Sequence, residues 1–62
     1  MDTFKFKGYC ATHGIKQAEI GELLGLGKSA VSQKMNGHKD FTLAQVRKIC
    51  EKYGISADEY FM

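Results

Sequence analysis

Short stretches of helical periodicity alternate along this chain with single glycines, and the pattern predicts five helices and no strands. Phe6, Tyr9, Cys10 and His13 recur at helical spacing and give a first helix its inner stripe. Asp2 or Thr3 can cap that helix, and Gly14 stops it after His13. Gly8 inside it either costs about 1 kcal/mol relative to alanine or lets another backbone approach closely. A second helix spans about residues 17–24, with Ile20, Leu23 and Leu24 at i, i+3 and i+4 on one apolar face. Gly25 ends it, because glycine takes a positive φ without steric cost and redirects the chain. Leu26 plugs the turn into the core. Gly21 faces the next helix, where a missing side chain permits a close crossing.

The third helix runs from about Lys28 to Asn36. Val31 and Met35 fall on one side of it; Lys28, Ser29, Ser32, Gln33 and Asn36 fall on the other. Thr42, Leu43, Ala44 and Gln45 form a capping-box pattern. It opens a fourth helix that carries Leu43, Val46, Ile49, Cys50 and Tyr53 inward and stops at Gly54. Ser56 to Glu59 repeats the capping-box pattern and opens a last turn with Tyr60 and Phe61. Phe61 is expected to fold back on the first helix.

Composition narrows the classes. With 62 residues, 44% of them hydrophobic, the chain makes one small domain, residues 1–62. A domain of this size buries only about 60% of its unfolded surface and has little room for an enclosed active site. No run approaches the ~18 apolar residues of a membrane span, and no signal peptide is evident at MDTFKFKGYC, so a cytoplasmic location is expected. The net charge of +2 does not by itself demand nucleic acid. Its distribution says more: Lys28, Lys34 and Lys39 lie in a segment without an acid from Leu23 to Lys39, while Glu19, Glu22, Glu51, Asp58 and Glu59 lie elsewhere. On charge alone, a phosphate-facing surface and a merely solvated face fit equally.

Sharper chemistry finds little support. Cys10 and His13 have a zinc-like spacing, and His38 and Cys50 would complete four ligands, but zinc sites usually supply two short ligand pairs. A Cys10–Cys50 disulfide is not expected in the cytoplasm, and both cysteines read as small core residues. No phosphate-cradling GxxxxGK, nucleophile elbow or paired apolar carboxylates occur, so the chain reads as a non-enzyme with no cofactor, metal or small-molecule ligand. Glu19 and Glu22 read as a solvated face, with Glu19 available to cap its own helix.

The segment QAEIGELLGLGKSAVSQKMNG, with the tail GISADEYF, resembles the helix-turn-helix family of phage repressors and Cro proteins, also called XRE-like, and in particular small single-domain Cro-like phage proteins. The likeness rests on Gln17, Ile20, Gly21, Leu24, Gly25, Leu26, Val31 and Asn36-Gly37, and runs from about Phe6 to Phe61. It implies an all-α, compact five-helix lambda-repressor-like fold. It also implies a transcriptional regulator, a repressor in the family's usual mode, that binds double-stranded operator DNA as a homodimer on a pseudo-palindromic site in a bacterial nucleoid. By that resemblance Lys28, Ser29, Ser32 and Gln33 face base edges in the major groove. Gln17, Lys34, Asn36, Gly37, His38 and Lys39 hold the backbone, and Tyr60 and Met62 are candidate dimer contacts. The chain departs from the family pattern at Lys16 and Gly27, where capping Ser or Thr is usual, and at Lys34, a usually apolar position. The alternative function is a protein-interaction module such as an antirepressor, which should carry aromatic or aliphatic anchors on the third helix.

Overall fold

Helix ends in this chain are written locally, and the computed structural model, which describes residues 3–61, follows that writing. The order is α1 (Phe4–His13), α2 (Gln17–Leu24), α3 (Lys28–Met35), α4 (Leu43–Tyr53) and α5 (Ala57–Phe61), with no strand among the described residues. Gly14, Gly25 and Gly54 stand in the left-handed region at the ends of α1, α2 and α4. At α4 the capping box is complete: the Gln45 amide donates to Thr42 Oγ1 at 3.1 Å, and the Thr42 amide donates to Gln45 Oε1 at 2.9 Å. Two of the four unpartnered amides of that first turn are thereby satisfied.

Among the described residues, nine form the buried hydrophobic core: Phe6, Cys10, Ile20, Val31, Met35, Phe41, Val46, Ile49 and Phe61. Three phenylalanines make its aromatic centre. Phe6 and Phe61 lie 5.0 Å apart between ring centroids, and Phe41 meets both edge-on at 6.4 and 5.8 Å. Phe61 therefore does return to α1, and α5 is held by that anchor. Rings at such separations and tilts add to the burial itself.

Several expectations are corrected. Leu43 is 76% exposed. It is the first residue of α4, ahead of the inward stripe that begins at Val46, and the buried apolar residue near this helix start is Phe41, from the loop before it. His13 is exposed too, although its ring lies 4.2 Å from that of Tyr9. Thr3 occupies the cap position of α1 but its side chain does not cap; Oγ1 donates instead to the Met35 carbonyl at 3.3 Å, joining the start of α1 to the end of α3. Asp2, the other candidate cap, lies outside the described residues. Gly8 admits no close neighbour, since a Cβ built there would meet nothing within 4 Å. Glu19 does not cap α2: its Oε2 accepts from Tyr53 Oη at 2.8 Å and ties α2 to α4. Burial, and after it that bond to Glu19, pushes the Tyr53 phenol above its ordinary range, and burial pushes the Cys10 thiol up to about 11.

Candidate nucleic-acid interface

The α2–α3 pair turns on one close approach. Gly25 (φ 69°) reverses the chain, and the Leu26 amide donates to the Gly21 carbonyl at 2.9 Å. A Cβ on Gly21 would stand 2.8 Å from the Leu26 carbonyl oxygen and 3.1 Å from Val31 Cγ2. Only a residue without a side chain lets α3 lie this near to α2, as the crossing predicted from the sequence requires.

With Val31 and Met35 buried against the core, the periodicity of α3 turns Ser29, Ser32 and Gln33 away from it, while Lys28, on the side of Met35, is outside because it stands on the first turn. Lys28 and Ser29 are exposed on its first turn, Ser32 and Gln33 are half-buried on its second, and Asn36 is exposed just past its end. Ser29, Ser32 and Gln33 thus share one side of one rod with Lys28 at its front, and α3 itself carries no acid. Gln17 is half-buried at the first position of α2 and, with Ala18, Leu26 and Lys28, lines a hollow beside the front of α3. Neither Lys16 before α2 nor Gly27 before α3 makes a side-chain cap bond.

Past α3 the chain makes a tight exposed loop. The Gln33 carbonyl accepts from the amides of His38 at 2.9 Å and Lys39 at 3.2 Å, and Gly37 takes φ 82°. Gly37, His38 and Lys39 are thereby held at the end of the α3 rod, all exposed. Lys34 is half-buried; its Nζ donates to the Asp40 carbonyl at 2.7 Å and stands 5.9 Å from the centre of the Phe41 ring. The stem lies along the core edge and the ammonium ties down the loop, which gives a half-buried lysine a partner for its charge.

Two residues near this surface were not evident in the sequence. Lys7 Nζ donates to Asn36 Oδ1 at 2.7 Å, and Asn36 Nδ2 donates to Ser32 Oγ at 3.2 Å. Twenty-nine positions separate Lys7 from Asn36, and no local pattern signals such a pair. Thr3 is the second, through its bond to Met35.

The proposed dimer contacts lie elsewhere. Tyr60 is half-buried with its ring 5.2 Å from that of Tyr9, so much of it covers α1. Met62 lies outside the described residues. Cys10 and Cys50 are free thiols, and among the described residues no cluster of His, Cys, Asp and Glu has the makings of a metal site. No helix among them is long and apolar enough to cross a membrane.

Residues 8–62 match the family model of the BetR domain. No curated protein and no solved structure matches the chain.

Proposed function

The chain belongs to the BetR domain family, a family of small helix-turn-helix-type domains, and on that premise we propose that it is a sequence-specific double-stranded DNA-binding regulator. The observation that carries the reading is the tight α2–α3 pair whose outward face offers Lys28, Ser29, Ser32 and Gln33 and no acid. In this reading α3 lies in the major groove. Lys28 donates to guanine O6 and N7, Gln33 pairs with adenine, and the two serines donate or accept according to the base. Gln17, Asn36, Gly37, His38 and Lys39 flank the groove and meet phosphates, aided by the uncapped amides at the starts of α2 and α3. Lys34 serves the backbone contacts through the loop it holds.

One such helix reads too few base pairs to single out an operator, so the reading includes a homodimer with its two recognition helices about one DNA turn apart. Tyr60 and Met62 are its candidate contacts. Operator occupancy that blocks polymerase, as in the phage repressor and Cro proteins, is the regulatory mechanism proposed. The competing reading, a protein-docking module, lacks the aromatic or aliphatic anchors that such a surface would show on α3.

Selection of bound sites from random duplexes tests the proposal. A two-fold symmetric motif is expected, and Gln33→Ala should change preference at one position of each half-site more than it weakens binding to random DNA. Absence of any complex at low ionic strength refutes it.

A further inference from the structure

The hydrogen bonds that run from α1 to the outward face of α3 have a direction. An ammonium group only donates, so Lys7, at 2.7 Å, fixes the Asn36 amide with its oxygen toward α1. The amide nitrogen then faces Ser32 Oγ at 3.2 Å and donates to it. One lone pair of the hydroxyl is thereby occupied, while its proton remains to be given. Hydrogen bonds in such a chain polarise one another, which makes that proton a better donor.

We propose, resting on the DNA-binding reading above, that Lys7 and Asn36 are positioning residues that set Ser32 as a hydrogen-bond donor toward the duplex. Ser32 then selects a base with an acceptor in the major groove: a purine N7, guanine O6 or thymine O4. An unheld serine hydroxyl donates to these and accepts equally from cytosine N4 or adenine N6, so it discriminates poorly. The device lies partly outside the helix-turn-helix, because Lys7 comes from α1. It extends the specificity of α3 to a residue that meets no base.

The reasoning is tested by reversing the polarity. A carboxylate only accepts, so in Asn36→Asp the Ser32 proton turns to residue 36 and Ser32 presents lone pairs to the duplex. Sites would be selected from random DNA with the parent chain and with Ser32→Ala, Lys7→Met, Lys7→Arg and Asn36→Asp. Ser32→Ala is expected to relax one base-pair position of the half-site, by about two- to tenfold in preference, the worth of one hydrogen bond. Lys7→Met should relax the same position and leave the others; Lys7→Arg should restore it. Asn36→Asp should shift that position toward cytosine, the base whose major-groove edge offers only a donor. The exposed position of Lys7 keeps Lys7→Met informative where Asn36→Asp does not fold. Equal losses on all sequences from Lys7→Met and Asn36→Asp, with the motif intact, would overturn the relay and leave DNA recognition standing. So would a Ser32→Ala motif identical to the parent's. A parent chain that selects no motif overturns both, and is told apart by that result alone.

Discussion

Adding one methyl group at Gly21 sets two known effects against each other, and the structure decides between them. Alanine is the better helix former by about 1 kcal/mol. The new Cβ, however, would stand 2.8 Å from the Leu26 carbonyl oxygen, against 3.4 Å for the near limit of ordinary contact. The obstructing atom is backbone in a turn pinned by the 2.9 Å bond from the Leu26 amide to Gly21, so no side chain can swing aside. Val31 Cγ2, at 3.1 Å, closes the other escape. Overpacking of this kind costs about 1–3 kcal/mol, and the rigid obstacle favours the upper part of that range. The net loss is about 1–2 kcal/mol, or about 5–15 °C in melting temperature for a domain this small. Gly8→Ala is the matched control: it too lies inside a helix, nothing stands within 4 Å of its Cβ, and it should gain about 0.5–1 kcal/mol. Thermal melts followed by far-ultraviolet circular dichroism read both signs. A Gly21→Ala protein as stable as Gly8→Ala would refute the close α2–α3 approach. In the DNA-binding reading, Gly21→Ala also weakens operator binding at temperatures where it is folded, because α3 must move outward.

Thr42→Ala removes one bond of the capping box and should lower stability by about 1 kcal/mol, read from denaturant midpoints with an unchanged slope. Cys10 binds its proton more tightly in the folded chain than in the unfolded one, so the stability it contributes is full below about pH 9 and falls as pH rises toward about 11. Tyr53, shifted in the same direction, adds to that alkaline loss, and Tyr53→Phe should flatten stability against pH above about 10. Because the Lys34 ammonium is held by the Asp40 carbonyl, Lys34→Met should leave the salt dependence of DNA binding unchanged, while Lys39→Ala flattens it by about one unit; equal slopes for the two variants would contradict this division.

The helix boundaries were legible because their causes are local. A glycine after an apolar stripe, or a threonine three residues before a glutamine, acts within one turn, and α1, α2, α4 and α5 begin and end within a residue or so of where these signs stand. The inward faces of α2 and α3 were legible for the same reason, since periodicity alone separates Ile20, Val31 and Met35 from their neighbours. Leu43 was misassigned because periodicity extends a stripe to the helix end without knowing where the core stops. Lys34, Glu19 and Thr3 have polar ends that reach atoms outside their own helices, and each met a partner that spacing does not announce: the Asp40 carbonyl, Tyr53 and the Met35 carbonyl. On the candidate interface, the exposed set on α3 was readable, but the engagement of Asn36 by Lys7 was not.

The same contacts explain how so short a helix as α3 keeps a fixed aim. Its buried residues are Val31 and Met35, and the aromatic centre of the core belongs to α1, α5 and the loop before α4. Two aliphatic anchors on an eight-residue rod leave its rotation to be set by other contacts as well, and a roll of one residue, ~100°, would turn half of the outward set away. The front end is held by the Gly21 approach and the Leu26 turn bond. The rear end is held by three separate ties: Thr3 to the Met35 carbonyl, Lys7 to Asn36, and Lys34 to the loop. The two lysine ties, on accessible side chains, are each worth on the order of 1 kcal/mol or less, whereas the Thr3 bond is buried and costs more to cut. The lysine ties add little to the stability of the domain, but with the Thr3 bond they oppose rotation of α3 at its rear end. If α3 reads DNA, the lysine ties govern base preference more than they govern melting, and a variant that cuts both at once should broaden the selected motif while the melting temperature stays within a few degrees of the parent's.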